Sequence, residues 1–126
     1  DWMDAATTPG QWRYETILGG TAATFVGNDA SALARLRCER GSKTMILALT
    51  SAAARSPAVE IRTETQTAAL PLAVRDGRAE VVMRGDLPLL DAIALSKGKF
   101  AIGAEGMLPL YLPSWAEVSR VIEDCR

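Results

Sequence analysis

At 126 residues the chain has the size of one ordinary domain, residues 1–126, and is long enough to bury most of its apolar surface unaided. Apolar residues at 48% and charged residues at 23% exclude a disordered chain, and no apolar run approaches the roughly 20 residues of a membrane span. A net charge of -1 argues against a binder of nucleic acid or anionic membrane, and the absence of histidine removes the usual base near neutral pH and the commonest zinc ligand.

The chain opens at Asp1 with neither an initiator methionine nor an apolar signal core, so a targeting segment is expected to have been removed. Residues 1–10 close on Thr7-Thr8-Pro9-Gly10, a turn-forming cluster, and read as a loose N-terminal arm. Trp2 in that arm is either a docking residue or an aromatic folded back on the domain, and the second is expected. From Gln11 to Ile17 the aromatics Trp12 and Tyr14 alternate with Arg13 and Glu15, a strand with its aromatics on the core face. Gly19-Gly20 ends it, and Ala22 to Val26 makes a short second strand carrying Phe25 before the Gly27-Asn28-Asp29 turn.

The organising stretch is Ala32 to Thr50, two strands joined across Gly41-Ser42. Ala34, Leu36 and Cys38 alternate with Arg35, Arg37 and Glu39, so one face is buried and the cysteine points inward. Residues 51–57 break the pattern and read as a loop. Val59 to Thr65 is a further strand with Val59, Ile61 and Thr63 on one face. Arg75-Asp76-Gly77 between the β-prone runs 67–74 and 78–84 is a hairpin signal, and Pro71 suggests an edge position or a bulge.

The period then changes. Asp86 as an acidic N-cap, Pro88 in the first turn, Lys97 in the last turn and Gly98 after it predict a helix of three turns with Leu90, Ile93 and Ala94 inward. Lys99–Ala104 and Met107–Leu112 return to strand character around Glu105-Gly106. Ser114-Trp115-Ala116-Glu117 reads as a capping box opening a last helix, which carries Trp115, Val118, Ile122 and Cys125 on its inner face. Together these elements predict a mainly β (α+β) domain: an antiparallel β-sandwich or partly closed barrel of eight or nine strands. One helix is inserted before the last hairpin, and the C-terminal helix packs on the sheet.

Cys38 and Cys125, the only two cysteines, admit three readings: a disulfide, two separate buried thiols, or a metal pair that would need carboxylates to complete it. The disulfide is the working expectation, and with it an oxidising compartment, periplasmic or extracellular.

Few motifs suggest catalysis. Ser96-Lys97-Gly98-Lys99 matches the spacing of a serine activated by lysine, but Gly98 interrupts the helix that would align the two. Asp86 with Asp91, or Glu60 with Glu64, could form an acid/base pair, although each has an ordinary role as a cap or a solvated strand face. Gly41-Ser42-Lys43-Thr44 lacks the upstream glycine and following helix of a phosphate loop, and Gly103-Ala104-Glu105-Gly106 lacks the spacing of a dinucleotide fingerprint. Arg35, Arg37, Arg40 and Lys43 read as one outward basic face, either a partner surface or a solvated face whose long stems cover apolar surface.

Through Leu36-Arg37-Cys38, the run from Asp86 to Ala101 and the run from Leu112 to Arg126, the chain resembles exported periplasmic proteins of alphaproteobacteria, sphingomonad type, which have no assigned activity. More remotely, its order of elements is similar to small exported accessory proteins of type VI secretion and to invasion-associated locus B proteins. The remote pattern opens its helix with Asp-Pro where this chain has Asp86-Leu87-Pro88. The resemblance implies a periplasmic or surface location and transfers no catalytic residue. The expectation is therefore a non-enzymatic, exported, envelope-associated binding or interaction protein, without cofactor or metal, whose partner is an envelope protein. Alternatives are a carboxylate-dependent hydrolase or a structural component of an envelope assembly.

Overall fold

The computed structural model describes residues 1–50 and 58–126, so the loop read over 51–57 lies outside the described residues. Among the described residues ten strands run in chain order as β1 (Gly10–Ile17), β2 (Gly20–Gly27), β3 (Ala32–Glu39), β4 (Thr44–Leu49), β5 (Ala58–Arg62), β6 (Thr67–Pro71), β7 (Ala73–Arg75), β8 (Arg78–Arg84), β9 (Lys99–Gly103) and β10 (Leu110–Pro113). Helix α1 (Pro88–Leu95) falls between β8 and β9, and α2 (Ala116–Asp124) ends the fold. Every strand pairing is antiparallel. The order β1-β2-β3-β4-β8-β7 makes one sheet and β10-β9-β5-β6 the other; neither closes on itself.

The period-2 pattern places the core. Phe25, Leu36, Leu47 and Val81 of the larger sheet meet Val59, Ile61, Phe100, Ile102 and Leu112 of the smaller one in a single buried cluster, joined by Leu90 and Ile93 of α1 and Val118, Val121 and Ile122 of α2. This is a β-sandwich with a helix inserted before its last strand pair and a C-terminal helix on the larger sheet, as the alternation predicts. Trp12 sits between the layers. Its indole packs on Phe25 and Phe100, with ring centroids at 5.3 and 6.4 Å, and its Nε1–H donates to the Pro113 carbonyl at 2.7 Å.

The chain passes between the sheets on both flanks. On one, β6 and β7 are nearly one continuous strand that changes sheet at Leu72, and Pro71 takes the edge position that suits a residue without an N–H. On the other, residues 1–10 are fastened rather than loose. Thr8 N–H donates to the Tyr111 carbonyl while its Oγ1 accepts from Tyr111 N–H, both at 2.8 Å, and the Lys99 ammonium donates to the Ala5 carbonyl. A short 3₁₀ turn at Trp2–Asp4 brings Trp2 back to a cleft on the outside of the smaller sheet, beside Tyr111, Arg62 and Gly103. A polar arm without periodicity thus gains its order from tertiary partners.

Local signals at the helix ends behave differently from expectation. Helix α1 starts at Pro88 with Leu87 as its N-cap, because Asp86 turns its carboxylate to Arg84 at 2.9 Å. It spans eight residues and stops at Ser96, short of Lys97 and of Gly98, whose φ of +78° marks the turn into β9. The capping box does not form either. Ser114 Oγ donates across the core to the Ile93 carbonyl at 3.3 Å, and α2 begins one residue later behind Trp115, which is 45% exposed. Val118, Ile122 and Cys125 are buried as expected; Trp115 is not. The strand expected over Val59–Thr65 ends at Arg62, where Thr63 and Gln66 clasp a turn. The one expected from Met107 begins only at Leu110, past Pro109.

Candidate functional site

Cys38 and Cys125 are joined as a disulfide, with their Cα atoms 5.5 Å apart, and no free cysteine remains. Both residues are fully buried. The bond fastens the end of α2 to β3, beneath the basic positions of that strand.

Arg35 and Arg37 lie on the opposite face of β3, as alternation requires. The register sets Arg35 beside Ala48, Ala48 beside Glu80 and Glu80 beside Ala73, one row across four strands. The small alanines leave room for arginine stems to lie across the sheet. Glu80, with only 10% of its side chain exposed, lies at the centre and takes Arg37 at 3.3 Å and Arg75 at 3.9 Å. Arg37 also reaches Glu39, and Arg35 reaches Glu15, each at 3.6 Å. Among the described residues the buried Nε of Arg35 has no hydrogen-bond partner. Arg35, Arg37, Arg75, Arg78, Asp76 and Glu80 line an open cleft of about 480 Å³, with Glu15 and Glu39 engaging two of the arginines from outside its lining.

The four basic residues singled out in the sequence therefore separate. Arg35 and Arg37 stay together and are joined by Arg75 and Arg78, whereas Arg40 and Lys43 belong to the β3–β4 turn and face elsewhere. The outward alternation of Arg78, Glu80, Val82 and Arg84 is visible in the sequence, but not that β8 inserts beside β4. Lys43, at φ +53°, opens onto a cleft of about 590 Å³, which is also lined by Arg84, Asp86, Asp91, Cys125 and Arg126. Two carboxylates do share this cleft. Each is exposed and engaged by an arginine, Asp86 by Arg84 and Asp91 by Arg126, so neither has the desolvated setting of a general acid.

The remaining motifs are structural. Ser96 Oγ donates to the Lys99 carbonyl at 2.7 Å and accepts from Glu64 N–H at 3.0 Å, while the Lys99 ammonium is committed to Ala5; this lysine is no base for that serine. Glu60 pairs with Arg62 at 2.5 Å. Among the described residues no cluster of three or more Cys, Asp or Glu could hold a metal ion, and no helix is long and apolar enough to cross a membrane.

A polar cluster that the sequence did not announce sits where α2 meets β1 and β2. The Asp124 carboxylate accepts from Tyr14 Oη and from Thr21 Oγ1, the latter at 2.8 Å, and Arg120 stacks 4.1 Å from the centre of the Tyr14 ring. Partial burial pushes the Asp124 carboxyl up. The donations from Tyr14 and Thr21, with the charges of Arg40 and Arg120, outweigh it and hold the group below the ordinary carboxylate value.

Comparison with protein-family models, with curated proteins and with solved structures finds no match for this chain.

Proposed function

We propose that this domain is a non-enzymatic binding module of an oxidising compartment, periplasmic or extracellular. It recognises an acidic protein surface of the cell envelope through the outer face of its larger sheet. The observation that carries the reading is the cleft around Glu80. There Arg35, Arg37, Arg75 and Arg78 face one opening on a chain whose net charge is -1. Guanidinium groups present forked donors that fit carboxylates, and the nearly buried Glu80 fixes two of them in place before any partner arrives. Arg75 is 74% exposed on its side chain, and among the described residues neither it nor Arg78 is neutralised by a close carboxylate beyond the 3.9 Å contact to Glu80. The buried disulfide supports the compartment, since such bonds persist where thiols are not kept reduced.

The test is fluorescence titration of a labelled Glu/Asp-rich peptide with the oxidised protein. Binding should weaken about ten-fold or more in the double variant Arg75→Glu/Arg78→Glu and should fall steeply with salt. Equal affinity for the native and charge-reversed proteins would remove this face from the function.

A further inference from the structure

Among the described residues the two sheets leave four strand edges, and the hydrogen-bond register fixes which backbone groups each one presents. Arg40 N–H donates to the Gly19 carbonyl at 3.0 Å, so in the β2–β3 register the odd residues of β2 bond to β3 and its even residues bond to β1. Carried through the β1–β2 register, this makes Gln11, Arg13, Glu15 and Ile17 the residues that exchange bonds with β2. Trp12, Tyr14 and Thr16 turn their N–H and C=O groups away from the sheet. No hydrogen bond among the described residues occupies those groups.

The other three edges are blunted. Along β10 the outward positions are Tyr111, bonded to Thr8, and Pro113, which has no N–H; Pro109 precedes them. Along β6 they are Thr67, Ala69 and Pro71, the last again without a donor. On β7 only Val74 faces outward in a strand of three residues. Proline, brevity and a covering segment are usual protections against edge pairing, and among the described residues the eight-residue β1 has none of them.

We propose that β1 pairs antiparallel with β1 of a second copy of this chain about a two-fold axis at Tyr14. The two six-stranded sheets then become one continuous sheet. The side chains choose the register. With Tyr14 opposite Tyr14 of the partner, all three outward backbone positions meet outward positions, and on the outer face Arg13 falls opposite the partner's Glu15 twice by symmetry. Sliding the partner by two residues one way puts Arg13 against Arg13, and the other way Glu15 against Glu15. Either slip sets like charges together, so the in-between register is the complementary one. It also carries Leu18, the fully exposed apolar side chain of the β1–β2 turn, opposite the partner's Gly10. The outer faces join side by side, so the two arginine clefts lie on one surface.

Sedimentation equilibrium of the full oxidised chain at up to about 100 μM tests this, and a dimer is expected. Thr16→Pro removes an outward N–H that makes no bond to β2, so it should give a monomer with an unchanged circular dichroism spectrum. Arg13→Glu alone, and Glu15→Arg alone, should each raise the dissociation constant about ten-fold or more. An equimolar mixture of these two variants should recover the native affinity, because the heterodimer restores both opposite-charge pairs. Should Thr16→Pro fail to fold, the mixture still decides. A native chain that stays monomeric at this concentration, a dimer indifferent to these substitutions, or a mixture no tighter than its components would each overturn the proposal.

Discussion

Cys38 and Cys125 are 87 residues apart in sequence and bonded in space, so the last turn of the chain is anchored to the middle of its larger sheet. In the chain-entropy account, opening a loop of this length removes about 4–5 kcal/mol of stability. Urea unfolding with and without reductant, or of Cys38→Ala/Cys125→Ala, should show that loss as a lower midpoint. An unchanged midpoint would mean that packing of α2 alone secures the C-terminus.

Gly85 is expected to be intolerant for a related reason. A Cβ there would lie 2.1 Å from the Cys125 carbonyl oxygen and 2.8 Å from that of Lys43, both backbone atoms with little freedom to move. Gly85→Ala should cost about 1–3 kcal/mol by thermal unfolding, the range for forcing atoms into a packed site. The substitution at Gly41, where nothing lies within 4 Å, is the control and should leave the melting temperature nearly unmoved.

Tyr14 and Asp124 link stability to pH. Because the Asp124 carboxyl is held below its ordinary value of 3.8 in the folded protein, the stability it contributes is fully present above that value. It is lost as pH falls through the depressed native one. Asp124→Asn should flatten this acid limb in denaturation curves recorded across acidic pH. Tyr14→Phe removes one donor to a charged acceptor and should cost about 1.5 kcal/mol near neutrality. A native-like acid limb in Asp124→Asn would show that other carboxylates govern it.

Trp12→Phe keeps an aromatic ring between the layers but leaves the Pro113 carbonyl without its indole donor. The expected cost is about 1–3 kcal/mol in chemical denaturation, from an unsatisfied buried acceptor together with lost contact to Phe25 and Phe100.

What the sequence reveals here is whatever the period of the side chains controls. Ala34, Leu36 and Cys38 face the core and Arg35 and Arg37 face water because successive strand residues alternate. Asp76 and Gly77, with φ of +53° and +74°, make the turn their chemistry suggests. The features it conceals depend on contacts far along the chain. Ser114 has the spacing of a cap, yet its hydroxyl finds the Ile93 carbonyl; Asp86 has the position of a cap, yet Arg84 takes its carboxylate. The arginine cleft is half legible. Arg35 and Arg37 announce an outward face, but Arg75, Arg78 and Glu80 reach it only because β8 pairs with β4 and β7 with β8.

The two crossings, at Leu72 on one flank and through Thr8 to Gly10 on the other, have a mechanical result. A sandwich stitched along both margins resists shearing of one layer past the other, which leaves its ends, between the turns, less constrained. One of those ends carries Leu33, Met107 and Leu108 around an apolar opening of about 470 Å³. Amide exchange should be faster around Leu108 than at either seam.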